Sequence, residues 1–233
     1  MSEQYDLIVI GSGAAGLSTA LGSGGALRVA VVSRGVLGQD GSTCWAQGGI
    51  AAAVGPGDSP GQHAADTISA GARLNNKSAV RWLAEGAPDI IRWLLSLGMQ
   101  FDTSNGRIAL GREAAHSFPR VLHAGGDATG AELVRALSQA VVRQPWIERH
   151  EFANACEILQ RGSRVVGVAL RDRRGECVRL LAPNVVLATG GLGQLYRFTS
   201  NPVEADGSGL ALAHQAGAEL RPWPSNWMAL MPR

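Results

Sequence analysis

The sequence predicts an α/β fold, a parallel sheet interrupted by inserted helices with a small antiparallel meander behind it. Three observations carry that expectation. A continuous β-prone run from Tyr5 to Ile10 stops at Gly-Ser-Gly and is followed by a short helical stretch and a Val-rich run. Apolar spacing is then helical over long segments. After Val142 the period shortens to that of strands broken by glycine turns.

Tyr5 to Ile10 reads as one continuous β-prone strand, ending in Gly-Ser-Gly as a buried parallel strand would. Ala14 to Ser23 follows as a helix and Arg28 to Ser33 as a second strand, completing a βαβ unit of about 30 residues. Residues 34 to 58 are glycine-rich and lack periodicity, which makes them loop. The apolar stretch Ala46 to Val54 is expected to be buried, with some partner satisfying its amides. Helices are expected from Pro60 to Leu74 and from Ser78 to Leu97, with Val80, Leu83, Ile90, Ile91, Leu94 and Leu95 as the buried stripe and Gly98 as the stop. Trp82 and Trp93 lie on these helices and are expected to pack. Thr129 to Val142 is a further helix with Leu133, Val134, Leu137 and Val141 on one face. Ala155 to Leu159, Arg164 to Arg171 and Cys177 to Leu181 form the meander, turning at Gly162 and Gly175. Asn184 to Ala188 reads as another buried strand and Ser208 to Ala216 as a last helix.

Composition narrows the function. The 233 residues carry 21 Lys plus Arg against 19 Asp plus Glu, a formal charge of +2, with no basic stripe for a nucleic acid and no acidic tail. No apolar run approaches the ~20 residues that a spanning helix needs, so no membrane partner is expected. Cys44, Cys156 and Cys177 are odd in number and far apart, which suggests neither a disulfide framework nor a zinc site and fits a reduced, cytoplasmic chain with no metal.

Gly11-Ser12-Gly13-Ala14-Ala15-Gly16 is a G-x-G-x-x-G set between a predicted strand and a predicted helix. Gly11 permits the tight turn, Gly13 lets a pyrophosphate approach the backbone, and Gly16 lets the helix pack on the strand. The residue that would hold a ribose is normally acidic. This chain offers Ser33 and Arg34 there, so the fingerprint alone does not choose FAD over NADPH; Arg34 either meets a phosphate or is a solvated charge.

The loop Gly41-Ser42-Thr43-Cys44-Trp45-Ala46-Gln47-Gly48-Gly49 makes the choice. Hydroxyls, an amide and glycine backbone can line a flat polar ring system of the flavin kind. With the first fingerprint and Ala188-Thr189-Gly190-Gly191, this loop resembles the flavoprotein family of succinate dehydrogenases and fumarate reductases. The resemblance implies a Rossmann-like FAD-binding domain over residues 1–220, with Gly190 among the cofactor residues. In respiratory members a histidine four residues before the Ala of Ala-Gln-Gly-Gly bonds covalently to the flavin. That position is Ser42, which implies non-covalent FAD.

Gly111-Arg112-Glu113-Ala114-Ala115-His116-Ser117 is similar to the Arg-Glu-x-x-His-Ser of the L-aspartate oxidase branch. There the glutamate orients the substrate's amino group, a role that falls to Glu113. An ion pair with Arg112 or Arg120 is the alternative for Glu113. His116 is expected to be structural and His123 to lie in the core. Asn154 and Ala155 match the family's contact with the adenine side of FAD, although an Asn before a strand is equally a turn cap. Asn201-Pro202 and Gly207-Ser208-Gly209 are similar to the family's Asn-Pro and Gly-Asp-Gly, with Ser208 in place of an aspartate that contacts FAD.

The resemblance runs from about residue 5 to Ala218 and fails over 221–233, a divergent tail where the family continues into a capping domain carrying the proton-transferring arginine. That arginine is expected beyond Arg233, so no catalytic residue is expected in this chain, and a truncated or altered frame is expected. The implied activity is oxidation of L-aspartate to iminoaspartate for quinolinate and NAD synthesis, with oxygen or fumarate as acceptor and coupling to quinolinate synthase. The alternatives are a soluble fumarate reductase or succinate dehydrogenase relative, and an inactive dinucleotide-binding fragment.

Overall fold

The computed structural model of the chain describes residues 3–220. The divergent tail expected over 221–233, up to and including Arg233, lies outside the described residues. In chain order the strands are β1 (Glu3–Gln4), β2 (Leu7–Ile10), β3 (Val29–Val32), β4 (Ile50–Ala51), β5 (Thr103–Ser104), β6 (Arg107–Ile108), β7 (Leu110–Gly111), β8 (Val121–Leu122), β9 (Ile147–His150), β10 (Asn154–Arg161), β11 (Arg164–Arg171), β12 (Cys177–Leu181) and β13 (Asn184–Leu187). The helices are α1 (Ala14–Gly22), α2 (Pro60–Ala70), α3 (Lys77–Ser96), α4 (Thr129–Val142) and α5 (Ser208–Gln215).

The central sheet has the order β13-β2-β3-β9, with every pairing parallel. Its two inner strands, Leu-Ile-Val-Ile and Val-Ala-Val-Val, are buried at all eight positions. Strand alternation divides those side chains between two cores. Val9, Val29 and Val31 join Leu17 of α1 and Leu137 and Val141 of α4. Ile8, Ile10, Ala30 and Val32 meet Val168, Leu170 and Leu180 of the meander. Helices, parallel sheet and meander therefore stack as three layers.

The meander is the second sheet, β1-β12-β11-β10, antiparallel except that β1 runs parallel to β12. Gly162 and Gly175 turn it, both at positive φ. Here the expected Tyr5–Ile10 strand divides. Tyr5 donates its amide to Leu181 in the meander, whereas Asp6 donates to Arg28 in the central sheet, so the chain changes layers between them. One continuous β-prone run, interrupted by the exposed Asp6, thus serves two sheets.

Other expectations need correction. The buried stripe of α3 is Val80, Ala84, Ile91 and Leu94, while Leu83, Ile90 and Leu95 are exposed. The helix presents a single narrow face, to α2 and the core, and its second row of apolar side chains has nothing to pack on among the described residues. Trp82 faces solvent with that row at 74% exposure, and Trp93 alone packs against the core. Helix α2 ends at Ala70, four residues early, because Ala72 and Arg73 take positive φ. Strand β13 is half-buried because it is an edge strand with one ladder. The loop carrying Trp45 is not buried as expected: Trp45 to Gly48 are exposed, and burial resumes only toward Ala52, where β4 pairs with β8. His123 is half-buried and not a core residue.

Two backbone contacts set α1 against the sheet. A Cβ on Gly16 would run into the Gly11 carbonyl, and one on Gly11, at φ 114°, into the Ala188 carbonyl. Gly16→Val should destabilise the chain by about 1–3 kcal/mol or more, because the clashing partner is backbone and cannot swing away. Urea unfolding measures this, and a stability within error of the parent would contradict the packing described.

Candidate dinucleotide site

A cleft of about 400 Å3 opens beyond the carboxyl ends of β2, β3 and β13. This is where an open parallel sheet presents its crevice. Gly11 to Ala15 form one wall, and Ser33 and Arg34, just past β3, form the next. Asp40 to Thr43, Ala153 to Ala155, Ala188 to Gly190 and the first residues of α5 complete it.

The amino end of α1 is built for an anion. Its cap, Gly13, is extended and makes no side-chain capping bond. Ala14 donates to Thr43 Oγ1 at 3.2 Å, which ties the second loop to the helix end. The amides of Ser12, Gly13 and Ala15 have no acceptor among the described residues. Free amides at a helix amino terminus, where the dipole is positive, fit a pyrophosphate. Ser12 is buried and its hydroxyl accepts from the Gly38 amide at 3.2 Å, which fixes the turn.

Of the residues expected from sequence, Gly11, Ser12, Gly13, Ala14, Ala15, Arg34, Ser42, Thr43, Asn154, Ala155 and Gly190 are brought together around this cleft. Gly16, Cys44, Trp45, Ala46, Gln47, Gly48 and Gly49 do not line it. Gly16 serves the packing already described. Cys44 turns its thiol to the Gln39 and Gly41 carbonyls, and burial pushes that thiol up. Ala46 accepts from the Gly130 amide at 2.8 Å, anchoring the loop on the start of α4. The proton-transferring arginine expected beyond Arg233 falls, like Arg233 itself, outside the described residues.

Arg34 is not a loose surface charge. It donates to both oxygens of Asp206, at 2.9 and 3.2 Å, and to the Ser208 hydroxyl. Its hydrogen bonds hold the Asp206 carboxyl well below the usual range, at about 2. Asp206 thus stands beside Ser208, the residue that departs from the family pattern. Asp40 also lines the cleft, and burial pushes its carboxyl up.

Glu113 lies apart from the cleft, exposed in the loop between β7 and β8. Its carboxylate makes no hydrogen bond or ion pair among the described residues, so the alternative pairing with Arg112 or Arg120 is not formed. Arg112 donates instead to the His116 carbonyl at 2.9 Å. Arg120 is fully buried and grips Asp58 through two bonds at 2.8 and 2.9 Å and Asp66 through one at 2.7 Å. His116 Nδ1 lies 3.3 Å from the same guanidinium. Asp66 holds the loop by accepting from the amide and hydroxyl of Ser117. Burial would raise the Asp66 carboxyl, but the bonds from Ser117 and Arg120 outweigh it and lower it. Burial, Arg120 and His116 together push the His63 imidazole down. Sequence reasoning missed this cluster because charged residues carry no periodic mark of burial.

A family model described as an FAD binding domain matches residues 6–233. The chain belongs to that FAD-binding family. It is 47% identical over 222 residues to the L-aspartate oxidase of Streptomyces coelicolor, covering 92% of this chain and 38% of that relative. Among solved structures it is similar to the Mycobacterium smegmatis Sdh1 complex, with a TM-score of 0.87 and 35% identity over 92% of this chain and 39% of that one. An E. coli quinol fumarate reductase gives a TM-score of 0.87 at 28% identity, over 92% of this chain and 37% of that one. The chain therefore spans well under half the length of the relatives it matches. No helix among the described residues is long and apolar enough to cross a membrane.

The depressed Asp206 carboxyl sets a pH dependence. Its folded value lies below the unfolded one of about 3.9, so its contribution is present above that value and is lost as pH falls toward about 2. Solvent screens the pair, since Asp206 is 43% exposed, and the contribution should stay below about 1 kcal/mol. Asp206→Asn should flatten the stability profile between about pH 4 and 2; urea unfolding across that range checks it, and an unchanged slope would deny the pair any energetic role.

Proposed function

We propose that the chain is the FAD-binding part of an enzyme that oxidises L-aspartate to iminoaspartate in the cytoplasm. The observation that carries the reading is the combination of free amides at the start of α1 with 47% identity to an L-aspartate oxidase over 92% of the chain. FAD, when bound, supplies the acceptor for a hydride from the substrate α-carbon, and its electrons pass on to oxygen or fumarate.

The chain's own residues bind and orient. Amides of Ser12, Gly13 and Ala15 take the pyrophosphate, and the Thr43 hydroxyl keeps the helix end and the second loop in register. Asn154 and Ala155 receive the adenine side and Gly190 the backbone beside it. The loop from Ser42 to Gly49 faces the flavin, and with serine at position 42 the cofactor is held without a covalent bond. Glu113 recognises the substrate ammonium, a group that succinate lacks. Residues 1–220 act as one cofactor domain, and a proton-transferring arginine is supplied from beyond Arg233. The iminoaspartate product suits consumption by quinolinate synthase on the way to NAD.

The fold likeness to the Mycobacterium smegmatis Sdh1 complex and the quinol fumarate reductase supports a second reading, exchange between succinate and fumarate. Purified chain should bind FAD, with the yellow colour released by acid. In a FAD-loaded full-length version under anaerobic conditions, L-aspartate should bleach the flavin absorbance and succinate should not. Glu113→Gln should weaken the response to L-aspartate by about tenfold or more. Bleaching by succinate alone would favour the second reading, and a colourless chain that ignores FAD would favour an inert fragment.

A further inference from the structure

The end of β3 poses a chemical problem. A ribose diol presents two hydroxyl donors that need an acceptor, and the second strand of a dinucleotide-binding crossover normally supplies a carboxylate there. This chain has Ser33 and Arg34. The Ser33 hydroxyl, buried, gives its only proton to the Gly35 carbonyl at 2.9 Å and is left as a neutral acceptor, weaker than a carboxylate. A guanidinium accepts no hydrogen bonds, and that of Arg34 is occupied by Asp206 and Ser208.

Asp40 reaches the same place from the following loop. Its carboxylate packs on Gly35, the residue after Arg34, so closely that no Cβ fits there. It lines the cleft, and its Oδ2 is buried without a hydrogen-bond partner. An acceptor in that state is costly unless something donates to it. We propose that Asp40 holds the ribose diol of the adenosine half of the dinucleotide, in place of the acid that β3 lacks. The assignment rests on the FAD reading and extends it to cofactor choice. Glu204 lines the same cleft, and Asp206 occupies the Arg34 guanidinium. A 2′-phosphate placed on that ribose would meet carboxylates and find no free cation among the described residues of the cleft, so the site selects an unphosphorylated ribose and disfavours NADPH.

Calorimetric titration of the whole chain with FAD, ADP, 2′,3′-dideoxy-ADP and NADPH tests this. The parent should bind ADP about tenfold tighter than the dideoxy analogue, the worth of one charge-assisted hydrogen bond. Asp40→Ala should bind both alike and lose about tenfold for FAD, with its thermal melt recorded to establish folding. The parent's own preference tests the assignment even if the variant does not fold. Equal binding of ADP and its dideoxy analogue by the parent, or a preference that survives in a folded Asp40→Ala, would overturn the role of Asp40 while leaving FAD binding intact. Loss of FAD affinity without loss of ADP affinity would move the contact to the ribityl chain and overturn it too. Binding of neither FAD nor ADP, or a preference for NADPH, would overturn the cofactor reading and this assignment with it.

Discussion

Everything at the cleft depends on how closely one helix can approach one strand. Helix α1 packs on the parallel sheet with Gly16 against the Gly11 carbonyl, a separation that leaves no room for a side chain at position 16. The approach directs the first amides of α1 past the end of β2 and into the crevice. Gly11 is itself pressed against the Ala188 carbonyl, so β13, β2 and the start of α1 meet at one backbone junction. Widening that junction by a methyl group would move the helix dipole and the free amides away from the place where an anion would sit.

The layers behind the junction explain its rigidity. Strands β2 and β3 send alternate side chains to the helical core and to the meander core, so neither can slide by one residue without exchanging its packing partners. Between them α4 does double duty. Its apolar face seals the helical core, while Gly130 at its start holds the Ala46 carbonyl and positions the loop that supplies Ser42 and Thr43 to the cleft. The stable part of the molecule thus carries the cleft wall, whereas Glu113 sits on an exposed loop pinned from below by the buried Arg120, Asp58 and Asp66 cluster.

Much of the fold was legible because burial on both faces leaves a mark. The fully apolar quartets Leu7–Ile10 and Val29–Val32 read as the buried strands β2 and β3, and the helix Thr129–Val142 has the bounds its periodicity implies. Strand β9 escaped because Ile147-Glu148-Arg149-His150 is an edge strand with polar side chains and pairs only with β3. The α3 stripe misled because large apolar residues occupy two rows and only the row containing Ala84 meets a partner. At the site, the glycine spacing pointed to the first crossover, which lines the cleft, since that spacing encodes backbone geometry. Asp40 and Asp206 were not legible in that sense. Their positions follow from how a loop folds back on Gly35 and how α5 starts beside Arg34, and no spacing rule records either.

Backbone amide shifts of the chain, followed by NMR as FAD is added, test the central claim most directly. The account predicts that the amides of Ser12, Gly13 and Ala15 move most, in step with one another and at the same FAD concentration as Thr43. Saturable binding that perturbed the exposed stretch from Trp45 to Gly48 while leaving those three amides untouched would contradict it.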